Sequence, residues 1–366
     1  MLSTHPPTIC GLASFNAALA DGLVASGAQV SIVRVAGGQP SSDARIVGEL
    51  VNDSAASIAA CADLLNQNRL ALIQHDFDIY GGADGDELVA VMEALRVPSI
   101  VVAHDIPADP TPHQRSVLEA VIALADRVVV MSDSASERLC SVFTVERRKV
   151  VIITHGARIP SGERVKRAGR PTILTWGLLG PGKGIERVID AMASLRELRG
   201  QPQYLIAGAT HPRVLAAEGE AYREGLVEKV QRAGLSGAVR FEPGYRSSAA
   251  LAVLVQSCAV VVLPFDSTDQ VTSGVLVNAV ASGRPVVATA FPHAIEMLGS
   301  GAGTVVDKDD PDALLSALRQ VLADPRLAGS MAAEGRRLAP SLAWSTVATS
   351  YLTLAQRLLS ERRALV

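Results

Sequence analysis

The stretch VVVLPFDSTDQVTSGVLVNAVASGRPVVA, residues 260–288, contains one strand–helix–strand unit. It begins with an apolar run at 260–263 and ends with another at 286–288. Between the two runs, a polar loop leads to the small residues Thr-Ser-Gly at 272–274, and an apolar helical segment follows them. Two buried strands that are connected through a helix are typical of a parallel sheet with both faces covered. This stretch therefore predicts an α/β fold.

The same alternation of strands and helices recurs along the whole chain. The apolar runs of the first half lie at 30–35, 70–74, 99–103, 128–131 and 150–153, and those of the second half lie at 173–177, 204–208, 239–241, 260–263, 286–288 and 304–306. Helical periodicity is clearest at 12–24, 117–125, 185–198 and 311–322. Two such series predict two Rossmann-like, doubly wound parallel-sheet domains.

The length of 366 residues also favours two domains, because it exceeds the usual size of a single core. We expect an N-terminal domain at 1–160, a second domain at 161–343, and a final helix at 344–366 that packs back on the first domain. The boundary is expected within 156–170, although this segment is also compatible with a long surface loop inside one domain. Since ligands of open α/β sheets bind beyond the carboxyl ends of the strands, we expect these ends to face each other across a cleft.

The first strand is expected to be very short. Only residues 1–3 precede the turn Thr-His-Pro-Pro at 4–7. Either the sheet tolerates a strand of about three residues, or the natural chain begins upstream.

Composition restricts the class of protein. Apolar residues make up 48% of the chain, the formal net charge is −3, and there is no long basic run, so nucleic acid is not an expected partner. Four widely spaced cysteines are typical of free thiols in a reducing compartment. The sequence shows neither a signal peptide nor an apolar run of the ~20 residues that span a bilayer. We expect a cytoplasmic protein, and peripheral contact with the inner face of the membrane stays open as an alternative.

A glycine-rich turn, WGLLGPGKGIE at 176–186, places Lys183 directly before a predicted helix. An ammonium group beside the free N–H groups of a helix start suits a diphosphate. The order of residues is not that of a P-loop. The alternative interpretation is an exposed loop lysine. A weaker signal of the same type is Gly11, which precedes the helix predicted at 12–24.

These motifs resemble the family 4 retaining glycosyltransferases. The signature of their second lobe reads like EAMAxGxPVVA, and this chain has AVASGRPVVA at 279–288. The first lobe is similar to that of one bacterial branch of the family. The segments that resemble it are 6–13, 74–82, 104–105, 110–115, 125–132 and 155–156.

The resemblance implies a two-lobed retaining glycosyltransferase of the GT-B type that uses neither a metal nor a cofactor. Its donor would be a nucleoside-diphosphate sugar, and its acceptor a carbohydrate, a lipid-linked molecule or a small molecule. His104 and Lys183 would be catalytic, with His75 and Asp105 on the acceptor side. The residues that would line the donor are Gly11, Leu12, Lys183, Gly244, Gln270, Thr272, Ser273, Gly274, Val275 and Asn278.

Three positions depart from the pattern of the family. Leu178 occupies the place of an arginine, and Gln270 and Asn278 occupy the places of two glutamates that bind the sugar and the ribose. An amide still forms hydrogen bonds but has no charge. Two alternatives therefore stay open, namely an inactive protein that binds nucleotide sugars or acts as a scaffold, and an epimerase or hydrolase on the same fold. A dinucleotide oxidoreductase is disfavoured, because no G-x-G-x-x-G with a downstream acidic residue follows a first strand.

Overall fold

The computed structural model describes residues 1–160 and 169–363, and within them every pairing of strands is parallel. The strands are β1 (Leu2–Ser3), β2 (Ile32–Val35), β3 (Ile46–Leu50), β4 (Ala71–His75), β5 (Ser99–Ala103), β6 (Arg127–Val130), β7 (Val150–Ile152), β8 (Thr172–Trp176), β9 (Gln203–Ala207), β10 (Val239–Glu242), β11 (Val260–Leu263), β12 (Val286–Thr289) and β13 (Gly303–Val306). The helices are α1 (Gly11–Ala25), α2 (Ala55–Asn66), α3 (Glu87–Glu93), α4 (Pro112–Leu124), α5 (Asp133–Val142), α6 (Ile185–Leu195), α7 (Pro212–Glu218), α8 (Ala221–Arg232), α9 (Ser248–Ser257), α10 (Gly274–Ala281), α11 (Pro292–Leu298), α12 (Pro311–Ala323), α13 (Pro325–Leu342) and α14 (Trp344–Arg363).

The chain divides into two compact units. The first contains Met1–Gly156 together with the C-terminal helix α14, and the second contains Ala157–Ala343. The linker expected within 156–170 is described only at its two ends, because residues 161–168 lie outside the described part of the chain.

Each unit contains one doubly wound sheet. The strand order is β3-β2-β1-β4-β5-β6-β7 in the first unit and β10-β9-β8-β11-β12-β13 in the second. The order reverses at β1 and β4 in the first sheet and at β8 and β11 in the second. In such sheets, ligands bind beyond the carboxyl ends of the strands at the point of reversal. The α/β fold class predicted from the sequence is confirmed.

Most of the predicted strands are present with boundaries that differ by one or two residues, but β3 was missed. Its sequence IVGEL contains a glycine and a glutamate, and Val47 is half exposed. Such a strand at the edge of a sheet has no continuous apolar run. In contrast, β1 has only two residues, yet both are buried, and Leu2 pairs with β2 and with β4.

Helix α14 packs against α1 inside the first unit. Gly22 of α1 allows this close approach, because a Cβ atom at position 22 would lie 2.8 Å from the Cβ of Ala348 and 3.1 Å from the carbonyl oxygen of Trp344. Apolar side chains of α14, including Val347 and Tyr351, are buried in the same core as Phe15 of α1. None of the helices in the described residues has the length and apolar character needed to cross a membrane.

Candidate functional site

In the second unit, the turns after β8 and β9 meet at two glycines. A Cβ atom at Gly208 would lie 1.8 Å from the carbonyl oxygen of Gly177, so no other residue fits at this position. Beyond the glycines the two segments remain paired, since the N–H of Leu179 donates to the carbonyl of Ala209 at 2.8 Å. The end of β8, where the strand order reverses, is therefore held in a defined position.

Lys183 lies in the loop that connects β8 to α6, close to the end of β11. Its Nζ is 4.8 Å from the centre of the Phe265 ring, which comes two residues after β11. Gly184, the N-cap of α6, has a φ of +62°, and a Cβ atom there would lie 1.7 Å from the carbonyl oxygen of Pro264. A glycine at position 184 is thus required for the loop after β8 to touch the loop after β11.

The environment of Lys183 is unusual for a lysine. The side chain is half-buried, and burial lowers the pKa of its ammonium group. No ion pair or hydrogen bond to Nζ is present in the described part of the chain. The aromatic face of Phe265 attracts a cation but does not neutralise its charge.

The start of α10 lies next to the end of β8. A Cβ atom at Gly177 would be 3.9 Å from Cγ2 of Val275, in the first turn of α10. Ser273 is the N-cap, and its side chain accepts a hydrogen bond from the N–H of Leu276 at 3.3 Å. The Oγ1 of Thr272 is buried and has no hydrogen-bond partner among the described residues. This edge of the sheet therefore presents a cation, a helix start and an unsatisfied hydroxyl group.

Of two predicted donor residues, Asn278 is engaged through its side chain and Gln270 through its backbone. The amide of Asn278 donates to the carbonyl of Gly274 in its own helix at 2.7 Å. The backbone carbonyl of Gln270 accepts the N–H of His293 at 3.3 Å. Gly244, with a φ of +109°, is exposed two residues after β10, and a Cβ atom there would meet nothing within 4 Å.

His293 was not singled out in the sequence, although it holds the loop before α10. It is buried at the second position of α11, and its Nδ1 accepts the backbone N–H of Ser273 at 2.8 Å. Because Nδ1 is an acceptor, the ring is neutral with its proton on Nε2. Burial lowers the pKa of His293 to about 4, which agrees with a neutral ring. The signal in the sequence was a histidine four residues after the end of a buried strand, β12.

The corresponding edge of the first unit contains His75, the last residue of β4, and His104, which follows β5. The backbone N–H of His104 donates to the carbonyl of His75 at 3.0 Å, and its Nε2 donates to Oε1 of the buried Gln74 at 2.7 Å. Nδ1 of His75 is buried and has no hydrogen-bond partner among the described residues. Burial lowers the pKa of His75 to about 4, and burial together with the nearby His155 lowers that of His104 to about 3.

Aromatic rings surround these histidines. The ring of Phe15 in α1 meets His104 edge to face at 4.8 Å between centroids, His155 at 5.0 Å and Trp344 at 5.1 Å. His75 meets Phe77 in the same manner at 5.0 Å. The neutral imidazoles therefore sit in an apolar setting, where they can still donate and accept hydrogen bonds.

The other predicted residues of the first unit lie at the surface. Gly11 is the exposed first residue of α1, Leu12 after it is half-buried, and Asp105 after His104 is exposed. A Cβ atom at Gly11 would meet nothing within 4 Å, so space next to the start of α1 is open.

A buried polar network beside β1 was also missed. His5 is buried after β1, and its two ring nitrogens bond to Asp43 Oδ2 at 2.9 Å and to Asn16 Nδ2 at 3.1 Å. Arg45 donates to Asp43, which holds the pKa of that carboxyl group well below its usual range. Both ring nitrogens of His5 are thereby engaged, so the network holds the turn after β1.

Matches to two family models cover nearly the whole chain. Residues 9–159 match the model described as Glycosyltransferase Family 4, and residues 161–338 match the one described as Glycosyl transferases group 1. The chain belongs to the family 4 glycosyltransferases. Their two-domain GT-B fold agrees with the two parallel sheets described above, and the resemblance found in the sequence is confirmed.

Two similar bacterial proteins are named as glycosyltransferases. The chain is 28% identical over 258 residues to the D-inositol 3-phosphate glycosyltransferase of Streptomyces avermitilis, an alignment that covers 66% of this chain and 54% of the relative. It is 28% identical over 263 residues to a GDP-mannose-dependent alpha-(1-6)-phosphatidylinositol monomannoside mannosyltransferase of Mycolicibacterium smegmatis, with 67% of this chain and 66% of the relative covered. The aligned region thus spans little more than half the length of the Streptomyces protein.

Among solved structures, HepE of Anabaena in complex with UDP and glucose superimposes with a TM-score of 0.76. The superposition covers 97% of this glycosyltransferase and 98% of HepE at 17% sequence identity. At this identity the likeness supports the fold alone. The described residues of the glycosyltransferase contain no group of three or more histidine, cysteine, aspartate or glutamate side chains arranged to hold a metal ion.

Proposed function

We propose that this glycosyltransferase transfers a hexose, with retention of configuration, from a nucleoside-diphosphate sugar to a carbohydrate, lipid-linked or small-molecule acceptor. The observation that carries the proposal is Lys183, a half-buried cation that has no counter-charge among the described residues. It lies where the second strand order reverses, next to the start of α6.

A partly buried ammonium group that lacks a counter-ion is unfavourable, because burial removes the water that would solvate its charge. A bound diphosphate would supply that counter-charge. The starts of α6 and α10 would add N–H groups and the positive ends of the helix dipoles. The unsatisfied hydroxyl of Thr272 would gain a phosphate oxygen as an acceptor.

The same groups would assist the reaction. In a retaining transfer, the bond between the anomeric carbon and the diphosphate oxygen breaks, and the acceptor oxygen forms its bond on the same face. The proton of the acceptor hydroxyl passes to the leaving phosphate. Negative charge grows on that phosphate in the transition state, so Lys183 would stabilise the transition state more than the bound donor. We propose that turnover needs no metal ion.

We propose that the histidines of the first unit bind sugar hydroxyl groups. His104 would contact the transferred sugar, and His75 and Asp105 would lie on the acceptor side. Neutral imidazoles suit this task, because they form hydrogen bonds with an uncharged ligand and do not compete for its diphosphate. The fixed contact between His104 and Gln74 would keep the ring in one orientation.

The names of the similar proteins support a hexose donor. One relative is GDP-mannose-dependent, HepE was solved with UDP and glucose, and a second relative is named for D-inositol 3-phosphate. We therefore propose a UDP- or GDP-hexose as the donor class and a polyol or lipid-linked polyol as the first acceptors to test.

One observation favours a second candidate, an inactive protein that binds nucleotide sugars. The resemblance assigns donor binding to Asn278, but its amide is bonded to its own helix. The neutral Gln270 and Asn278 would then hold the nucleotide without activating its sugar.

A single series of measurements separates the candidates. Thermal unfolding with UDP- and GDP-hexoses identifies the donor, because a ligand at a hundred times its Kd stabilises the protein by about 2.7 kcal/mol. Incubation of that donor with inositol phosphate and lipid-linked acceptors, with and without EDTA, then tests transfer, and NMR of the product gives the anomeric configuration. Donor consumption without an acceptor indicates an epimerase or hydrolase. Binding without consumption indicates the inactive protein, and an inverted product contradicts retention.

A further inference from the structure

Arg223, in the first turn of α8, reaches the carboxyl edge of the second sheet. Its Nη2 donates to the carbonyl of Gly208, the residue after β9, at 2.7 Å. Only 12% of the Arg223 side chain is exposed. The guanidinium group therefore lies against the turn after β9 and not in solvent.

Only part of this guanidinium group has hydrogen-bond acceptors within the described residues. Nε donates to Glu220 at 3.1 Å, and Nη2 bonds to Gly208 and, at 3.4 Å, to Thr210. Nη1 is buried, and no acceptor for it exists among the described residues. Buried donors of a charged group are rarely left without an acceptor, because they lose water and gain nothing in return.

The position of Arg223 connects it to the proposed donor site through two contacts. Gly208, which Arg223 binds, touches Gly177, and Gly177 in turn lies next to Val275 of α10. The residue after Gly177 is Leu178, which stands where the resemblance to the family expects an arginine. Arg223 thus lies against the turn after β9, which touches the turn after β8 from which that arginine would act.

We propose that Arg223 binds the diphosphate of the donor and supplies the second positive charge that Leu178 cannot provide; this inference rests on the proposed function. Nη1 would donate to a phosphate oxygen. Glu220 holds the opposite side of the guanidinium group, and its side chain is 45% exposed, so water screens its negative charge. Arg223, in α8, would act on the leaving group alongside Lys183, which lies in the loop before α6.

Calorimetric titration with UDP and GDP tests this role directly. Whichever nucleotide binds the wild type is titrated into Arg223→Gln, along with the corresponding nucleoside. We expect the nucleotide to bind about ten- to a hundredfold more weakly, which is typical of one charged hydrogen bond, and the nucleoside to bind as in the wild type. Arg232→Gln, which removes an exposed arginine at the other end of α8, is the matched control and should change neither affinity.

A second variant tests the link with Leu178. Leu178→Arg combined with Arg223→Gln should recover at least part of the lost nucleotide affinity. If Arg223→Gln fails to fold, Arg223→Lys replaces it, since a lysine keeps the charge but loses the planar fork and should bind the nucleotide several-fold more weakly.

The outcomes distinguish this inference from the proposed function. If the wild type binds neither UDP nor GDP, the proposed function is wrong. If the wild type binds and Lys183→Ala binds more weakly while Arg223→Gln is unchanged, only the role of Arg223 is wrong. Equal losses of nucleotide and nucleoside affinity would show that Arg223 merely supports the fold, and would also overturn the inference.

Discussion

The two sheets have the same winding, but the side chains at their carboxyl edges differ in charge. In the first unit, the edge presents His75 and His104, two neutral imidazoles among aromatic rings. In the second, the edge presents Lys183 and Arg223, two cationic side chains with unused hydrogen-bond donors. The same topology thus supports two kinds of ligand surface.

The difference follows from the loops and not from the strands. In the second unit, glycines at 177, 184 and 208 let backbone segments touch, which leaves small turns and helix starts beside the cations. In the first unit, the ring of Phe15 packs against His104, His155 and Trp344. We infer that the second edge is suited to an anion and the first to a polar but uncharged group.

The most severe test of this contrast is Lys183→Ala. A charged contact with a developing phosphate charge in a partly dry site contributes about 2–4 kcal/mol, so we expect kcat/KM to fall by roughly 30- to 1000-fold. The thermal unfolding temperature without ligand should stay close to that of the wild type, because Nζ has no partner to lose among the described residues.

Lys229→Ala is the control for this variant. Lys229 lies in the same unit but pairs with Asp190 on the surface at 2.8 Å, and a surface pair contributes little. Wild-type kcat/KM in a folded Lys183→Ala protein would show that the second edge does not use this cation.

The second test concerns His293, which holds the loop before α10. Replacement by Phe leaves the buried N–H of Ser273 without an acceptor, which costs about 1–3 kcal/mol. We expect a raised KM for the donor and faster hydrogen exchange at the Ser273 amide. His293→Asn places an amide oxygen near the position of Nδ1 and should restore both. If His293→Phe and His293→Asn show the same KM and the same hydrogen exchange, the hydrogen bond does not position the loop.

Some of these features could be predicted from the sequence, and others could not. The two sheets could be predicted, because buried parallel strands are continuous apolar runs, as at Val260–Leu263 and Ser99–Ala103. Lys183 could be found as well, because its glycine-rich turn is local in sequence. His293 and Arg223 could not, because each acts on a loop 15 or more residues away through contacts that only the fold creates.

Some predicted roles remain predictions for a related reason. Asn278 matches a motif position, but its sequence does not reveal that the amide bonds to its own helix. Gly244 also matches a position, and its open turn after β10 shows no partner in the described residues. A motif fixes where a residue lies along the chain, whereas the direction of its side chain depends on its neighbours.

A third test measures how the stability of the protein depends on pH. The pKa values of His75 and His104 fall to about 4 and about 3, below the usual value near 6.5. These two imidazoles therefore take up protons between about pH 6.5 and pH 4 in the unfolded chain but not in the folded first unit. Their contribution to stability should be fully present above pH 6.5 and should decline as the pH falls, by up to about 1.4 kcal/mol per pH unit for each histidine.

Denaturant unfolding at several pH values measures this slope. His104→Gln should reduce this slope, because glutamine does not titrate. An equal slope in the wild type and in His104→Gln would contradict the neutral state that we assign to His104.

The smallest expected effect concerns Asn278, where the second edge lacks a negative charge that the family usually has. A glutamate at 278 cannot donate to the carbonyl of Gly274, so its side chain would turn away from the helix and offer a carboxylate acceptor instead. We expect the preference among UDP- and GDP-hexoses to change several-fold, while the free energy of unfolding changes by less than about 1 kcal/mol, since Asn278 is only half-buried.

Asn278→Asp is the matched control, because it removes the same donor but is too short to extend as far as a glutamate. A change in preference with Glu but not with Asp would place this helix face beside the donor. Unchanged preference in both variants would mean that Asn278 serves only its own helix and that the donor is selected elsewhere along the second edge.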